Sequence, residues 1–102
     1  MAVLMRQTMP EGVTVQLLDA VTEEMGVDND PPEGLVVHVH YEQDGRAQIV
    51  DVWDSPQAYE QFAAERLMPA MQTVAERQGQ SLPEPEDATP DVIEVARIVR
   101  GA

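Results

Sequence analysis

The dipeptide Asp44-Gly45 constrains the fold of this chain more than any other feature. It lies between two short runs rich in β-branched residues, Leu35 to Glu42 and Ala47 to Trp53. A two-residue type I′ turn needs positive φ at both central positions, which Asp-Gly tolerates, so the pair predicts a β-hairpin. Gln43 then pairs with Arg46. Side chains alternate along a strand, so each face of the hairpin has a definite membership. One face carries Val36, His38, His40 and Glu42 opposite Trp53, Asp51, Ile49 and Ala47. The other carries Leu35, Val37, Val39 and Tyr41 opposite Asp54, Val52, Val50 and Gln48. A three-residue loop ending at Gly45 would slip the register by one and set Asp51 among Leu35, Val37 and Val39. Burying an unpaired carboxylate there is costly, which favours the two-residue turn.

The remaining segments fall around this hairpin. Ala2 to Met9 is short and mostly apolar, as a buried strand is. Val13, Leu17, Leu18, Val21 and Met25 recur at helical spacing, with Gln16, Asp19, Glu23 and Glu24 on the other side. Pro10 and Glu11 suit the start of that helix and Gly26 its end. Asp28 to Gly34 reads as a loop. Ser55-Pro56 announces a second helix, with Ser as N-cap and Pro at the first position. Its apolar stripe is Tyr59, Phe62, Ala63 and Leu67. Pro69 predicts a kink or restart, and an apolar face continues to Gly79. Gln80 to Asp91 carries three prolines among acidic residues and reads as an extended loop, while Val92 to Val99 reads as a last strand. The order is βαββαβ, the ferredoxin-like α+β arrangement: a four-stranded antiparallel sheet with both helices on one face.

That arrangement raises a covering problem. Two helices cover one face of the sheet, and both hairpin faces carry apolar residues. An uncovered Val37–Val39–Val50–Val52 patch would be an association liability. The economical solution is a homodimer with two sheets face to face, leaving the mixed face under the helices to line a pocket.

Composition narrows the function classes. A chain of 102 residues points to one domain, residues 1–102. There is no cysteine, hence no disulfide, zinc-thiolate site or thiol nucleophile. Nineteen acidic and six basic residues give a formal net charge of -13, which argues against nucleic acid and against an anionic membrane surface as partners. No stretch approaches a transmembrane span and the first residues do not read as a signal peptide, so a cytoplasmic protein is expected. No nucleophile-elbow or phosphate-binding glycine motif is present.

The run Gly34-Leu35-Val36-Val37-His38, then Asp44-Gly45, then Ile49-Val50-Asp51-Val52-Trp53-Asp54-Ser55-Pro56-Gln57-Ala58-Tyr59-Glu60-Gln61-Phe62 resembles the dimeric α+β barrel superfamily. It looks most like the antibiotic-biosynthesis-monooxygenase-like (ABM-like) members. The resemblance implies a homodimer. It leaves the activity open, since such proteins include cofactor-free oxygenases, haem-degrading enzymes, isomerases and cyclases. The haem-degrading members carry Trp at a position like Trp53. They also use a histidine on the second helix and an asparagine on the first strand, and this chain has neither.

His38 and Asp51 are the candidate catalytic residues. As cross-strand neighbours their Cβ atoms sit about 5 Å apart. A carboxylate on one imidazole nitrogen fixes the tautomer and leaves the other nitrogen free as general base or acid. The plainer alternative is a histidine satisfied inside a polar part of the core. His40 shares the face but opposes Ile49, which offers it no partner. His38 and His40 with a carboxylate have the ligand types of a metal site but no distinctive spacing, so no metal is assigned. Trp53, Tyr59 and Phe62, with His40, are the candidate substrate-binding residues. Their aromatic wall would suit a small apolar, aromatic or polyketide-like molecule, though Phe62 equally fits ordinary core. Arg6, Arg97 and Arg100 would suit either an anionic group or a solvated edge. No cofactor is expected. The expected functions are proton-transfer chemistry of the monooxygenase, isomerase or cyclase type, or non-catalytic ligand binding or assembly.

Overall fold

The computed structural model describes residues 1–79 and 90–101. The elements are β1 (Val3–Thr8), α1 (Val15–Met25), β2 (Leu35–Gln43), β3 (Arg46–Trp53), α2 (Pro56–Phe62), a π-helical turn (Ala63–Leu67), α3 (Met68–Gln78) and β4 (Asp91–Glu94). The strands form one antiparallel sheet in the order β2-β3-β1-β4. This is the ferredoxin-like α+β order, with β2 and β4 at the edges.

The turn behaves as its sequence requires. Asp44 and Gly45 have φ of 55° and 77°. From Val37 to Gln43 the register is the expected one, with His38 opposite Asp51 and His40 opposite Ile49. A β-bulge between Leu35 and Val37 ends it, so Leu35, and not Val36, lies opposite Trp53. Leu35 therefore leaves the aliphatic face and packs against the cluster of Val3, Met5 and Trp53. Nearby, Gly34 has φ of 87°, and a Cβ there would meet the Ala58 Cβ at 2.6 Å. Glycine lets the start of β2 pass this close to α2.

The helices differ from expectation at their ends. Helix α1 starts at Val15, because the Thr14 hydroxyl accepts from the Leu17 N–H at 3.1 Å. Pro10 to Val13 makes a preceding turn instead. Gly26 closes α1 in the left-handed conformation, as expected. Ser55 caps α2 through the Ala58 N–H. The second helix is interrupted by the π-helical turn and restarts as α3 at Met68 with Pro69 in its first turn, in line with the expected kink or restart. The chain stays in right-handed helical dihedrals, and the Met68 N–H bonds to the Ala63 carbonyl across a widened turn just before the proline.

The last strand is shorter than its β-branched composition predicts. β4 pairs only with Val3–Arg6 of β1, and the Val95 N–H closes the ladder on the Ala2 carbonyl. Beyond that point β1 offers no backbone to pair with, and Val99 is exposed. The expected loop falls on residues 80–89, outside the described residues, and on Pro90 and Asp91, the latter of which opens β4.

The helices cover the mixed face. Ala58, Tyr59 and Phe62 pack against Trp53, and a second cluster of Val21, Ala70 and Val74 joins α1 to α3. Among the described residues no helix lies on the opposite face. Val37, Val39 and Tyr41 are 45%, 46% and 41% exposed, in contrast to Trp53 at 1%.

Candidate active site

The hairpin register places His38, Asp51 and Trp53 on the helix side of the sheet, where Asp51 and Trp53 are buried and His38 remains exposed, and α2 adds Tyr59 and Phe62. All five, with His40, line a cavity of about 80 Å³ between sheet and helices. That is room for several water molecules. Met5 and Met25 also border it, and their unbranched side chains can repack around a larger guest.

Asp51 is the buried centre of the polar groups. Its Oδ1 lies 2.6 Å from His38 Nδ1, and its Oδ2 accepts from the Trp53 indole N–H at 3.2 Å. A carboxylate under a sheet is tolerable only when so partnered. Trp53 in turn packs edge-on against Tyr59 (5.7 Å, 72°) and tilted against Phe62 (5.1 Å, 40°). Burial first, and the Asp51 carboxylate second, push the Tyr59 phenol above its ordinary pKa. It is therefore a neutral hydroxyl at physiological pH.

The second nitrogen of His38 is not free, contrary to expectation. His38 Nε2 lies 2.9 Å from His40 Nδ1, and the rings meet edge-on at 5.1 Å. Nor is His40 without a partner. It opposes Ile49 across the hairpin, but its Nε2 reaches sideways to Asp19 Oδ1 at 2.6 Å. Residues two apart on one strand face the same way, so the imidazoles touch each other as well as the opposite strand. Asp19 belongs to the polar side of α1 in the sequence pattern. It was missed because no local spacing says which turn of that helix lies over β2.

The other charged candidates stay apart from this cavity. Arg6 pairs with Asp91 on the exposed edge at 3.4 Å, and Arg97 and Arg100 follow β4 as exposed residues. Among the described residues no group of three His, Cys, Asp or Glu side chains is disposed to hold a metal ion. No helix among them is long and apolar enough to cross a membrane.

No family model and no curated protein matches the sequence. Solved structures do match the whole fold. Rv0793 from Mycobacterium tuberculosis is similar at 16% identity and a TM-score of 0.56, over 99% of this chain and 98% of that one. SnoaB, a cofactor-independent oxygenase from Streptomyces nogalater, is similar at 12% identity and 0.59, over 98% and 97%. An antibiotic biosynthesis monooxygenase is similar at 10% identity and 0.58, over 95% and 100%. Identities this low speak for architecture alone. On that architecture, the chain has the fold of the antibiotic biosynthesis monooxygenase structures that it matches.

Proposed function

We propose that the protein binds a small apolar, aromatic or polyketide-like molecule in the cavity under its sheet and removes a proton from it. The observation that carries this reading is the Asp51–His38 pair, a buried carboxylate on an imidazole at 2.6 Å, set in an otherwise largely apolar cavity. The pair takes a carbon-bound proton, and the electron pair stays on the substrate as a stabilised carbanion. Returning the proton to another carbon is isomerisation. Attack of the carbanion on a carbonyl is cyclisation, and its reaction with dioxygen is oxygenation. None of the three routes requires an organic cofactor or a metal. The fold shared with a cofactor-independent oxygenase supports the last of them. Trp53, Tyr59 and Phe62 would stack on a planar substrate, and His40 would border it.

The protein would work as a homodimer, with the exposed Val37–Val39–Tyr41 face and its neighbours Val50 and Val52 covered by a second copy. A non-catalytic binding or assembly protein is the rival reading. What favours it is that both nitrogens of each imidazole are already engaged.

The test begins with aromatic polyketide-like compounds bearing an acidic C–H, screened for a rise in thermal stability. A binder is then followed by NMR in deuterium oxide for loss of its C–H signal. His38→Ala should slow that loss by about 10²–10⁴-fold while the variant stays folded. Equal rates for the two proteins would remove His38 from the chemistry. Binding with no deuterium uptake in the native protein would establish the rival.

A further inference from the structure

We infer that His40 and Asp19 complete a proton relay, which carries protons taken up by the Asp51–His38 pair to solvent at helix α1. The inference rests on reading that pair as a proton acceptor.

Four side chains from three elements lie in line. Asp51 Oδ1 to His38 Nδ1 is 2.6 Å, His38 Nε2 to His40 Nδ1 is 2.9 Å, and His40 Nε2 to Asp19 Oδ1 is 2.6 Å. The two ends differ sharply. The Asp51 side chain is 9% exposed and the Asp19 side chain 58%. Both nitrogens of each ring are engaged within the line, so a ring proton that leaves without breaking the line leaves at an end.

Proton counting sharpens the point. An ionised carboxylate only accepts, and an imidazole nitrogen either donates or accepts. Each of the three contacts is a hydrogen bond only if it holds one proton. With both carboxylates ionised, the four ring nitrogens therefore hold three protons. His38 Nδ1–H donates to Asp51, His40 Nε2–H donates to Asp19, and the third proton lies between the rings.

Transfer along such a line needs no movement of heavy atoms. When Asp51 holds one of the three protons, both rings are neutral with a bare Nδ1 and a protonated Nε2; as His38 Nδ1 then takes the Asp51 proton, His38 Nε2–H passes its own to His40 Nδ1. His40 Nε2–H then passes its own to Asp19, from which water takes it. One N–H or O–H bond forms for each that breaks, and no electrons change hands. His40 and Asp19 are thus proton carriers that take no proton from substrate directly.

A helix-to-sheet tie would show the same distances, so the test separates tie from relay. Asp19→Asn keeps an acceptor oxygen for His40 Nε2–H at an exposed helix position but cannot take up the proton. The probe is the ligand-free protein labelled with nitrogen-15 in its histidines. In the native protein at neutral pH, three of the four ring nitrogen sites should be protonated, and two or four would overturn the count. In Asp19→Asn, the His38 ring proton should exchange with water about 100-fold more slowly, as loss of a general acid–base group does. Added formate should restore the rate. An unchanged rate would reduce Asp19 to a tie. Both measurements are made without substrate, so they stand or fall apart from the deuterium-uptake test of His38.

Discussion

The two faces of the β2–β3 hairpin alternate residue by residue and carry opposite chemistry. The face under the helices holds His38, His40 and Asp51, where a small protein usually places aliphatic side chains. The face away from the helices holds Val37, Val39, Tyr41, Val50 and Val52, with Val37, Val39 and Tyr41 exposed. The inner polar groups are nonetheless complete within the chain. Among the described residues no buried side-chain nitrogen or oxygen lacks a hydrogen-bond partner. Among the described residues nothing covers the outer apolar groups. One face is a finished network and the other an unfinished surface, which teaches that polarity alone does not tell inside from outside. What tells them apart is whether each group finds a partner.

The strongest way to break this comparison is to remove the apolar anchor of the inner face. Trp53 is the largest fully buried side chain and holds Asp51 through its indole N–H. Trp53→Ala should cost about 3–5 kcal/mol in chemical denaturation, by analogy with other large-to-small core changes. A loss below about 1 kcal/mol, the size of an ordinary surface effect, would mean the inner face is not organised around the indole.

Next in size is the carboxylate. Asp51→Ala leaves the Trp53 N–H and His38 Nδ1–H without their acceptor. The expected cost is about 1–3 kcal/mol, the usual penalty for an orphaned buried donor. The variant should also shift the indole N–H resonance of Trp53. An unfolding midpoint equal to that of the native protein would show that Asp51 is a tolerated burden and not part of the network.

Much of this comparison is legible in the sequence, for a reason local to one turn. Asp44-Gly45 fixes the loop length, and the loop length fixes which residue opposes which. His38 opposite Asp51 follows from that alone. The bulge at Val36 does not follow, because no glycine or proline within β2 marks it. Its cause is tertiary: Leu35 fills space beside Trp53. α1 starts at Val15 because Thr14 caps it, five residues after the Pro10 that suits a helix start in the sequence. β4 stops at Glu94 because its partner strand ends, which strand propensity cannot report. Asp19 was invisible as a site residue since its contact with His40 is set by how α1 lies across the sheet.

The outer face supplies the prediction with the smallest effect on the single chain. Val39 is 46% exposed, and a lysine there meets water and no core. Val39→Lys should therefore change the stability of an isolated chain by no more than about 0.5 kcal/mol. Its effect on association should be much larger, because face-to-face packing would bury an unpaired ammonium between two aliphatic surfaces. Sedimentation at micromolar concentration should find the native protein as a dimer and Val39→Lys as a monomer with its helices intact. A native monomer would leave the outer face unpartnered and sink the dimer. A dimeric Val39→Lys would move the interface elsewhere, and the two hairpin faces would then need another account of why the apolar one points outward.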